Sequence, residues 1–383
     1  MKSLQDFLDN KPLYYDKIDL ERMPRIYRAI KAHLPGPKII HIVGTNGKGT
    51  TGRFLANGLL QNGFSVGHYT SPHILAFNER IWLNGENADD GVLEAAHQKL
   101  SALLTQQQSD ALSYFEYTTL LAMVVFERCD YAVLEAGLGG EFDATNVFDK
   151  ELSLFTAIGR DHQAFLGDDI GSIAGTKFRS MQKSAILGRQ VDPEVPKVYY
   201  EIAREKGCDA KQIGDLLSET EQEEIRDAAT GEGLPNYLQE NLLLALSALT
   251  FLGFKADVAA LAKAPLFGRL TRIRENVLLD VGHNVLAAEA IAATLKGQQF
   301  TLVYNSYRDK EYAAIIKTLK PIIVGIELID VDDVRIEQRS VLEAAIRAEE
   351  IPLSGFTALE KSKNYLVFGS FSVAEAFLRR LPK

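Results

Sequence analysis

KIIHIVGTNGKGT, from Lys38 to Thr50, is the segment that decides the fold. Its first six residues form an apolar run that is typical of a buried strand, and a helical pattern extends from Thr50 to Gln61. The glycines between them allow a tight turn that points several N–H groups at one anion, and the following helix N-terminus adds partial positive charge. The segment therefore predicts a phosphate-binding loop between a strand and a helix.

Two side chains of this loop suit a nucleotide. Lys48 can reach the β- and γ-phosphates, and the Thr50 hydroxyl can join the ligand shell of Mg2+. The match to the general pattern GxxxxGKT is imperfect, because two residues separate Gly44 from Gly47 and Gly49 precedes Thr50. The alternative is a glycine-rich turn without a ligand, but the order of strand, loop, lysine, threonine and helix favours phosphate binding.

Apolar runs alternate with helical patterns on both sides of this segment. They predict strands at 64–69, 131–135, 152–157 and 185–187, and, after about residue 264, at 277–281, 300–304, 326–331 and 365–368. Such alternation is typical of mostly parallel sheets covered by helices. We predict an α/β protein with an N-terminal P-loop-type domain (1–266) and a smaller C-terminal Rossmann-like domain (267–383). The polar segment 191–234 is predicted to form surface helices and loops.

Composition narrows the class of protein. The 383 residues include 42 Lys plus Arg and 51 Asp plus Glu, a net charge of −9 that argues against general binding to nucleic acid or to an anionic membrane. Cys129 and Cys208 form no CxxC motif, which argues against a zinc site or a disulfide framework. The chain has no signal-like N-terminus and no apolar run of about 18 residues, so a cytoplasmic protein is expected.

Further candidate metal-binding and substrate-binding residues lie at or just after the ends of predicted strands. Glu135 ends one strand, where a carboxylate faces the ligand-binding edge of a parallel sheet and suits Mg2+; the alternative is a solvated or capping acid. His162 follows another strand, and Asp161 beside it could orient the imidazole or hold a substrate amine. Arg80 could bind a phosphate or carboxylate, or form a surface salt bridge.

Taken together, the motifs resemble the folylpolyglutamate synthase/dihydrofolate synthase family of the Mur ligase superfamily. The resemblance extends from about residue 13 to the C-terminus. It rests on GTNGKGT (44–50), SPHILAFNERI (71–81), FEYTTLLA (115–122), EAGLGGEFDATN (135–146), IGRDHQAFLG (158–167), FGRL (267–270), LDVGHN (279–284) and RDK (308–310).

The resemblance implies an ATP-dependent ligase that joins L-glutamate to an acceptor through an acyl phosphate. The acceptors are dihydropteroate, which gives dihydrofolate, and tetrahydrofolate, which gives polyglutamates; no residue decides between them, and our hypothesis is that the chain uses both. The implied cofactors are ATP and two Mg2+ ions. The first domain would bind ATP and the pterin, the second would serve glutamate ligation, and the chain would be a monomer.

The family's functional positions can be carried over to this chain. The ATP contacts are Asn46, Gly47, Lys48, Gly49, Thr50, Asn241, Arg269, Asp280 and His283. Thr50, Ser71 and Glu135 are the expected ligands of the first Mg2+, and His162 is a ligand of the second. Lys48, His162 and Lys177 are the expected catalytic residues. The acceptor contacts are Asp19, Leu20, Arg80, Phe115, Glu116, Tyr117, Thr118, Phe142, Asp143 and Ala144.

Several of these positions keep an alternative. Lys177 matches a lysine that the family modifies with CO2 to a carbamate, but the usual Glu-Lys-Ala-Gly is here TKFR (176–179), so an unmodified lysine is the alternative. The usual Gly-Ala-His-Asn-Pro is here VGHNV (281–285), which changes that loop. Asn241 could instead form a helix-packing hydrogen bond, and Phe115 and Tyr117 could be core residues.

Two rival functions remain at this stage. A Mur-type ligase acting on a cell-wall precursor is disfavoured by the segment 71–81 and by the short stretch before residue 44, which leaves little room for a domain that binds a UDP-sugar. A nucleotide-binding switch without ligase chemistry gains some support from the altered segments 176–179 and 281–285.

Overall fold

The fold is taken from a computed structural model of the chain, in which the described residues are 3–12, 19–161, 167 and 169–382. The helices are α1 (Leu4–Asp9), α2 (Arg22–Ile30), α3 (Lys48–Gln61), α4 (Asp90–Leu103), α5 (Gln106–Ala111), α6 (Tyr114–Val125), α7 (Ile170–Phe178), α8 (Glu194–Lys206), α9 (Glu219–Gly231), α10 (Asn236–Phe251), α11 (Val258–Ala262), α12 (Val285–Thr294), α13 (Tyr312–Leu319), α14 (Arg339–Ala348) and α15 (Phe371–Arg380).

The strands form two sheets. They are β1 (Lys38–Val43), β2 (Val66–Tyr69), β3 (Ile81–Leu83), β4 (Glu86–Asn87), β5 (Tyr131–Glu135), β6 (Leu152–Phe155), β7 (Ser184–Leu187), β8 (Asp209–Gln212), β9 (Thr271–Arg274), β10 (Val277–Leu279), β11 (Phe300–Tyr304), β12 (Ile323–Leu328), β13 (Leu353–Gly355) and β14 (Tyr365–Phe368). The first sheet has the order β4-β3-β2-β5-β1-β6-β7-β8, and the second has the order β13-β12-β11-β14-β10-β9.

Both sheets are mostly parallel, as the α/β prediction requires. β1 pairs in parallel with β5 and β6, so it is a central strand and is buried on both faces. Antiparallel pairing is confined to one edge of each sheet: the hairpin strands β3 and β4 in the first and β9 in the second. The carboxyl ends of β1, β2, β5 and β6 therefore meet at one edge, directly beneath the predicted phosphate loop.

The chain divides into two compact units. The first comprises residues 1–159, 163–234 and 238–264, and the second comprises 160–162, 235–237 and 265–383. The functional division that we predict at residues 266/267 stays a prediction. Within the part of the chain that the structure describes, no helix is both long enough and apolar enough to cross a bilayer.

One part of the secondary-structure prediction is wrong. The polar segment 191–234 contains α8 and α9, but it also contains the edge strand β8, which pairs with β7. The sequence DAKQ of this strand has few of the β-branched or aromatic residues that mark a strand. Pairing with an existing parallel edge therefore outweighs its weak intrinsic propensity.

The core explains how α7 is held at the side of the first sheet. Phe155 of β6, Phe178 at the end of α7 and Tyr199 of α8 pack edge to face, with ring centroids 4.9 Å apart for the first pair and 5.2 Å apart for the second. All three are fully buried. This aromatic cluster fixes the last turn of α7, and with it the backbone of Lys177.

Candidate active site

The phosphate loop is rigidly held against the end of β6. The backbone N–H groups of Thr45 and Asn46 both donate to the carbonyl of Ala157, at 2.9 and 3.2 Å. The Thr45 hydroxyl donates to the carbonyl of Gly159 at 3.0 Å. Gly47 has a φ of 89°, in the region that favours glycine, and α3 begins at the next residue. The loop and the helix N-terminus thus have the arrangement that the sequence predicts.

Lys48 lies over the same loop. Its ammonium donates to the carbonyls of Gly44 and Thr45, at 3.2 and 3.1 Å, and lies 4.0 Å from Glu135 Oε1. The Thr50 hydroxyl is fully buried in the first turn of the helix and has no hydrogen-bond partner among the described residues. A buried hydroxyl without a partner is costly. A ligand or metal that approached Thr50 would remove that cost.

Glu135 sits at the carboxyl end of β5, as predicted. The side chain is 5% exposed, and Oε2 accepts hydrogen bonds from the Thr70 hydroxyl and, at 3.2 Å, from the backbone N–H of Ser71. The carboxylate and the unpartnered Thr50 hydroxyl are the hard oxygen donors that Mg2+ prefers, so this set fits the metal. Among the described residues no three His, Cys, Asp or Glu side chains cluster as metal ligands. His162 lies outside the described residues.

Lys177 contacts the phosphate loop from α7. Its ammonium is buried and donates to the Gly44 carbonyl at 3.0 Å. Asn241, on α10, lies close to Gly47 of the loop: a Cβ added at Gly47 would come 2.2 Å from the Asn241 Oδ1. Both predicted residues therefore lie beside the loop.

The segment Gly137–Ala144 forms a second loop, which we call the acceptor loop because it carries three predicted acceptor contacts. Phe142 is 59% exposed, whereas Ala144 is buried. Asp143 is buried, and it accepts from the backbone N–H of Leu138 and from Thr145. Burial raises the pKa of the Asp143 carboxyl, although these hydrogen bonds oppose the shift. Only Phe142 of the three presents a large surface to solvent.

The predicted acceptor contacts on α6 mostly serve the core. Glu116 forms a buried ion pair with Arg22 at 2.9 Å and also caps the helix by accepting from the Ser113 N–H. Tyr117 is fully buried, with its hydroxyl 2.7 Å from the His97 ring nitrogen.

The other two α6 positions differ from each other in exposure. Thr118 is fully buried and bonds the hydroxyl of Tyr69 at 2.9 Å. Phe115 is only partly buried, and its ring lies against Gly137, where a Cβ would approach within 2.7 Å. Of the four, Phe115 is the one placed against the acceptor loop.

Arg80 is available for an anion. Its Nε donates to His73 Nδ1 at 2.8 Å, and the guanidinium lies 5.2 Å from the Tyr114 ring centroid. Burial, assisted by the charge of Arg80, lowers the pKa of His73 to about 4, so the imidazole accepts as a neutral ring. No carboxylate in the described part of the chain lies within 4.0 Å of Arg80. Glu79 shapes the surrounding loop by accepting from three successive N–H groups.

The predicted contacts near the N-terminus are exposed. Asp19 accepts from the backbone N–H of Glu21 and bonds Arg25, and Leu20 is 45% exposed. Residues 13–18, immediately before them, lie outside the described residues.

In the second unit, Asp280 organises the loop after β10. Its Oδ2 accepts from the Tyr237 hydroxyl at 2.7 Å and from the Leu270 N–H at 2.8 Å, and its Oδ1 accepts from the Gly282 N–H at 2.7 Å. The Arg269 guanidinium lies 5.5 Å from the Phe371 ring centroid. These contacts shape the loop in which the sequence departs from the usual family motif.

A polar cluster in the same unit brings together residues that the sequence analysis did not connect with one another. Asp161 bonds the Lys310 ammonium at 2.6 Å and the Asn284 amide at 3.0 Å, and His283 Nε2 lies 3.7 Å away. Lys310 and Asp161 are both nearly buried, with side chains 5% and 8% exposed. The sequence analysis named Asp161 as a possible partner of a substrate amine and His283 as an ATP contact, but it gave no role to Lys310 of the RDK motif.

Comparisons with known proteins identify the family to which this chain is similar. A scan against models of known protein families finds no match. The dihydrofolate synthase/folylpolyglutamate synthase of Escherichia coli K12 is 34% identical over 345 residues, which cover 84% of this chain and 80% of the relative.

Solved structures of the same family are similar to this chain over nearly its whole length. The Helicobacter pylori folylpolyglutamate synthetase is 38% identical, with a TM-score of 0.80 over 98% of this chain and 97% of its own. The E. coli FolC in complex with DHPP and ADP is 25% identical, with a TM-score of 0.80 over 98% and 95%. The chain therefore belongs to the dihydrofolate synthase/folylpolyglutamate synthase family of ATP-dependent ligases.

Proposed function

We propose that this ligase joins L-glutamate to dihydropteroate and also extends tetrahydrofolate, using ATP and Mg2+. The observation that carries the proposal is the grouping of Lys48, Glu135 and the unpartnered Thr50 hydroxyl at the end of a phosphate loop. That group supplies a cation, a carboxylate and a hydroxyl where the γ-phosphate of ATP would lie. The acceptor loop follows directly after Glu135 in the chain.

The chemistry requires charge neutralisation. An acceptor carboxylate oxygen attacks the γ-phosphorus of ATP, and the bond between the γ-phosphorus and the bridging oxygen of the β-phosphate breaks. ADP is the leaving group, and the acceptor becomes an acyl phosphate. The glutamate amine then attacks the acyl carbon, loses a proton, and the carbon–oxygen bond to phosphate breaks. Lys48 lies where it can offset the charge of the first step, since two anions must meet there. Bound Mg2+, held by Thr50, Ser71 and Glu135, would supply further neutralisation.

Lys177 has two testable states. As an ammonium it holds the Gly44 carbonyl and therefore positions the loop. As a carbamate it would present two oxygens toward a magnesium-bound shell. We propose the carbamate, as the family resemblance implies. Electron density for a bare amine in crystals grown with bicarbonate would refute it.

Glutamate is an amino acid zwitterion, and the polar cluster of the second unit suits one. Asp161 can accept from its ammonium group, while Lys310 can donate to a carboxylate. We propose this pair as contacts of glutamate. ATP contacts by Arg269, Asp280 and His283, and the second metal ligand His162, are also proposals. The remaining proposals are a monomer and a cytoplasmic location, to be checked by light scattering and cell fractionation.

The test is phosphate release from purified protein with ATP, Mg2+, bicarbonate and L-glutamate, with and without dihydropteroate. Release that requires both dihydropteroate and glutamate supports the first activity, and a repeat with tetrahydrofolate tests the second. Phosphate release independent of the acceptor would instead favour a nucleotide switch. Failure to extend any reduced folate, while dihydropteroate reacts, would remove the second activity alone.

A further inference from the structure

A buried polar chain connects β1 to the acceptor loop. His41, in the middle of β1, is fully buried, and its Nε2 lies 2.7 Å from the hydroxyl of Thr145. That hydroxyl donates to Asp143 Oδ1 at 2.6 Å, and the Thr145 backbone N–H donates to the same oxygen at 2.9 Å. Three side chains from two separate parts of the sequence therefore form one continuous hydrogen-bonded chain.

The direction of the hydrogen bonds follows from the number of protons. A threonine hydroxyl has one proton, and each oxygen of Asp143 already accepts from a backbone N–H, so the Thr145 proton points to Asp143. The hydroxyl oxygen must then accept from His41, which places the imidazole proton on Nε2. Burial, with Lys150 nearby, lowers the pKa of His41 well below its ordinary value, so the ring is neutral. His41 Nδ1 accordingly carries no proton, and it has no hydrogen-bond partner in the part of the protein that the structure describes.

Asp143 connects the hydrogen bonds of His41 and Thr145 to the backbone of the acceptor loop. Its second oxygen, Oδ2, accepts from the backbone N–H of Leu138 at 2.8 Å, so one carboxylate ties both ends of the segment Leu138–Thr145 together. Phe142, with 59% of its surface exposed, stands next to this fixed point. Without the tie, the loop backbone would lose the bond that closes it and could adopt other conformations.

We propose that His41 and Thr145 are positioning residues for acceptor binding: through Asp143 they hold the acceptor loop in its binding conformation. The inference rests on the proposed function, because it takes this loop as an acceptor contact. When a binding-competent conformation is only partly populated, the apparent affinity falls by that fraction. Weakening the hydrogen bonds from His41 through Thr145 to Asp143 should therefore raise the KM for the acceptor and leave the KM for ATP nearly unchanged.

The matched variants are Thr145→Val and Thr145→Ser. Valine keeps the shape but removes the hydroxyl. His41 Nε2 then loses its acceptor, and Asp143 Oδ1 keeps only the backbone N–H of residue 145, so we expect the KM for dihydropteroate to rise about ten-fold. Serine keeps the hydroxyl and should stay within about three-fold of wild type. Ser247→Ala is the control, because it removes a buried hydroxyl that bonds only within α10, to the Leu243 carbonyl.

An equal KM for dihydropteroate in Thr145→Val and wild type would overturn the proposal, as would equal rises in the KM for ATP and for the acceptor. Absence of dihydropteroate-dependent turnover in the wild type would refute the proposed function instead. A measurement independent of turnover covers the case in which valine prevents folding. NMR spectra of protein labelled with 15N-histidine should show the His41 proton on Nε2, with the His41 signals assigned by comparison with His41→Gln. A proton on Nδ1 would refute the hydrogen bond from His41 to Thr145.

Discussion

Replacing Gly47 by alanine should weaken ATP binding about thirty-fold. A non-glycine residue in the left-handed region costs about 1–2 kcal/mol, and the φ of Gly47 is 89°. The new Cβ would also lie 2.2 Å from the Asn241 Oδ1, so that amide must move. We take the combined cost as about 2 kcal/mol, which corresponds to roughly thirty-fold in a binding constant.

The strain energy should weaken ATP binding, because the loop can relax when no nucleotide is bound. Without nucleotide, the substituted loop can relax to an unstrained conformation, and ATP must then restore the strained one. Gly63→Ala is a matched control just beyond the C-terminal end of the same helix. Its φ is 82°, but no atom of the described residues lies within 4 Å of the added Cβ. The variant should therefore carry the backbone strain without touching the nucleotide.

The assay is calorimetric titration of each variant with ATP, alongside thermal unfolding. Gly63→Ala should lower the melting temperature without changing the Kd for ATP. Adding Asn241→Ala to Gly47→Ala should recover the part of the affinity lost to the steric contact. An unchanged Kd in Gly47→Ala would refute the phosphate-loop reasoning, and no recovery in the double variant would refute the role given to Asn241.

Three further predictions concern charge. Glu135→Gln should raise the Mg2+ concentration that half-saturates turnover at least about ten-fold, because a neutral amide is a poorer ligand for a hard cation; an unchanged Mg2+ titration would contradict this. Glu116→Gln should lower the melting temperature, since it removes the carboxylate charge from the buried pair with Arg22, yet keep the KM for dihydropteroate; a raised KM with full stability would restore Glu116 as an acceptor contact. His73 has a folded pKa of about 4, below its unfolded value of 6.5, so its contribution to stability is lost as pH falls from 6.5 toward 4. His73→Asn should flatten the pH dependence of chemical unfolding in that window, and an unaltered slope would refute the assignment.

The central strands were predictable because they bury both faces. β1, β5, β11 and β14 agree residue for residue with their apolar runs in the sequence. Helix starts have a separate local signal, the cap. α6 begins at Tyr114, because Ser113 and Glu116 form a reciprocal capping box. That pattern is present in the sequence and could have been used.

The site was predictable where one residue contacts its sequence neighbours. Lys48 and Thr50 lie as expected because the loop, the strand and the helix N-terminus are continuous. Tyr117 was not decidable, because a tyrosine next to an apolar helical face can equally fill the core, and its bond to His97 spans 20 residues. The Asp161–Lys310 pair spans 149 residues and has no local pattern at all.

That pair has a consequence for dissecting the protein. The second unit is assembled from three stretches of chain, and residues 160–162 and 235–237 are supplied from within the sequence of the first. A fragment starting at residue 265 would lack Asp161 and Tyr237, the partners of Lys310 and Asp280. Lys310 would keep only the exposed Asp309, 3.4 Å away, as a carboxylate partner. Breaking a buried ion pair costs up to about 3–5 kcal/mol, so expressing this fragment alone should give a poorly folded product. Circular permutation or grafted peptides, rather than simple truncation, are the routes to an autonomous C-terminal unit.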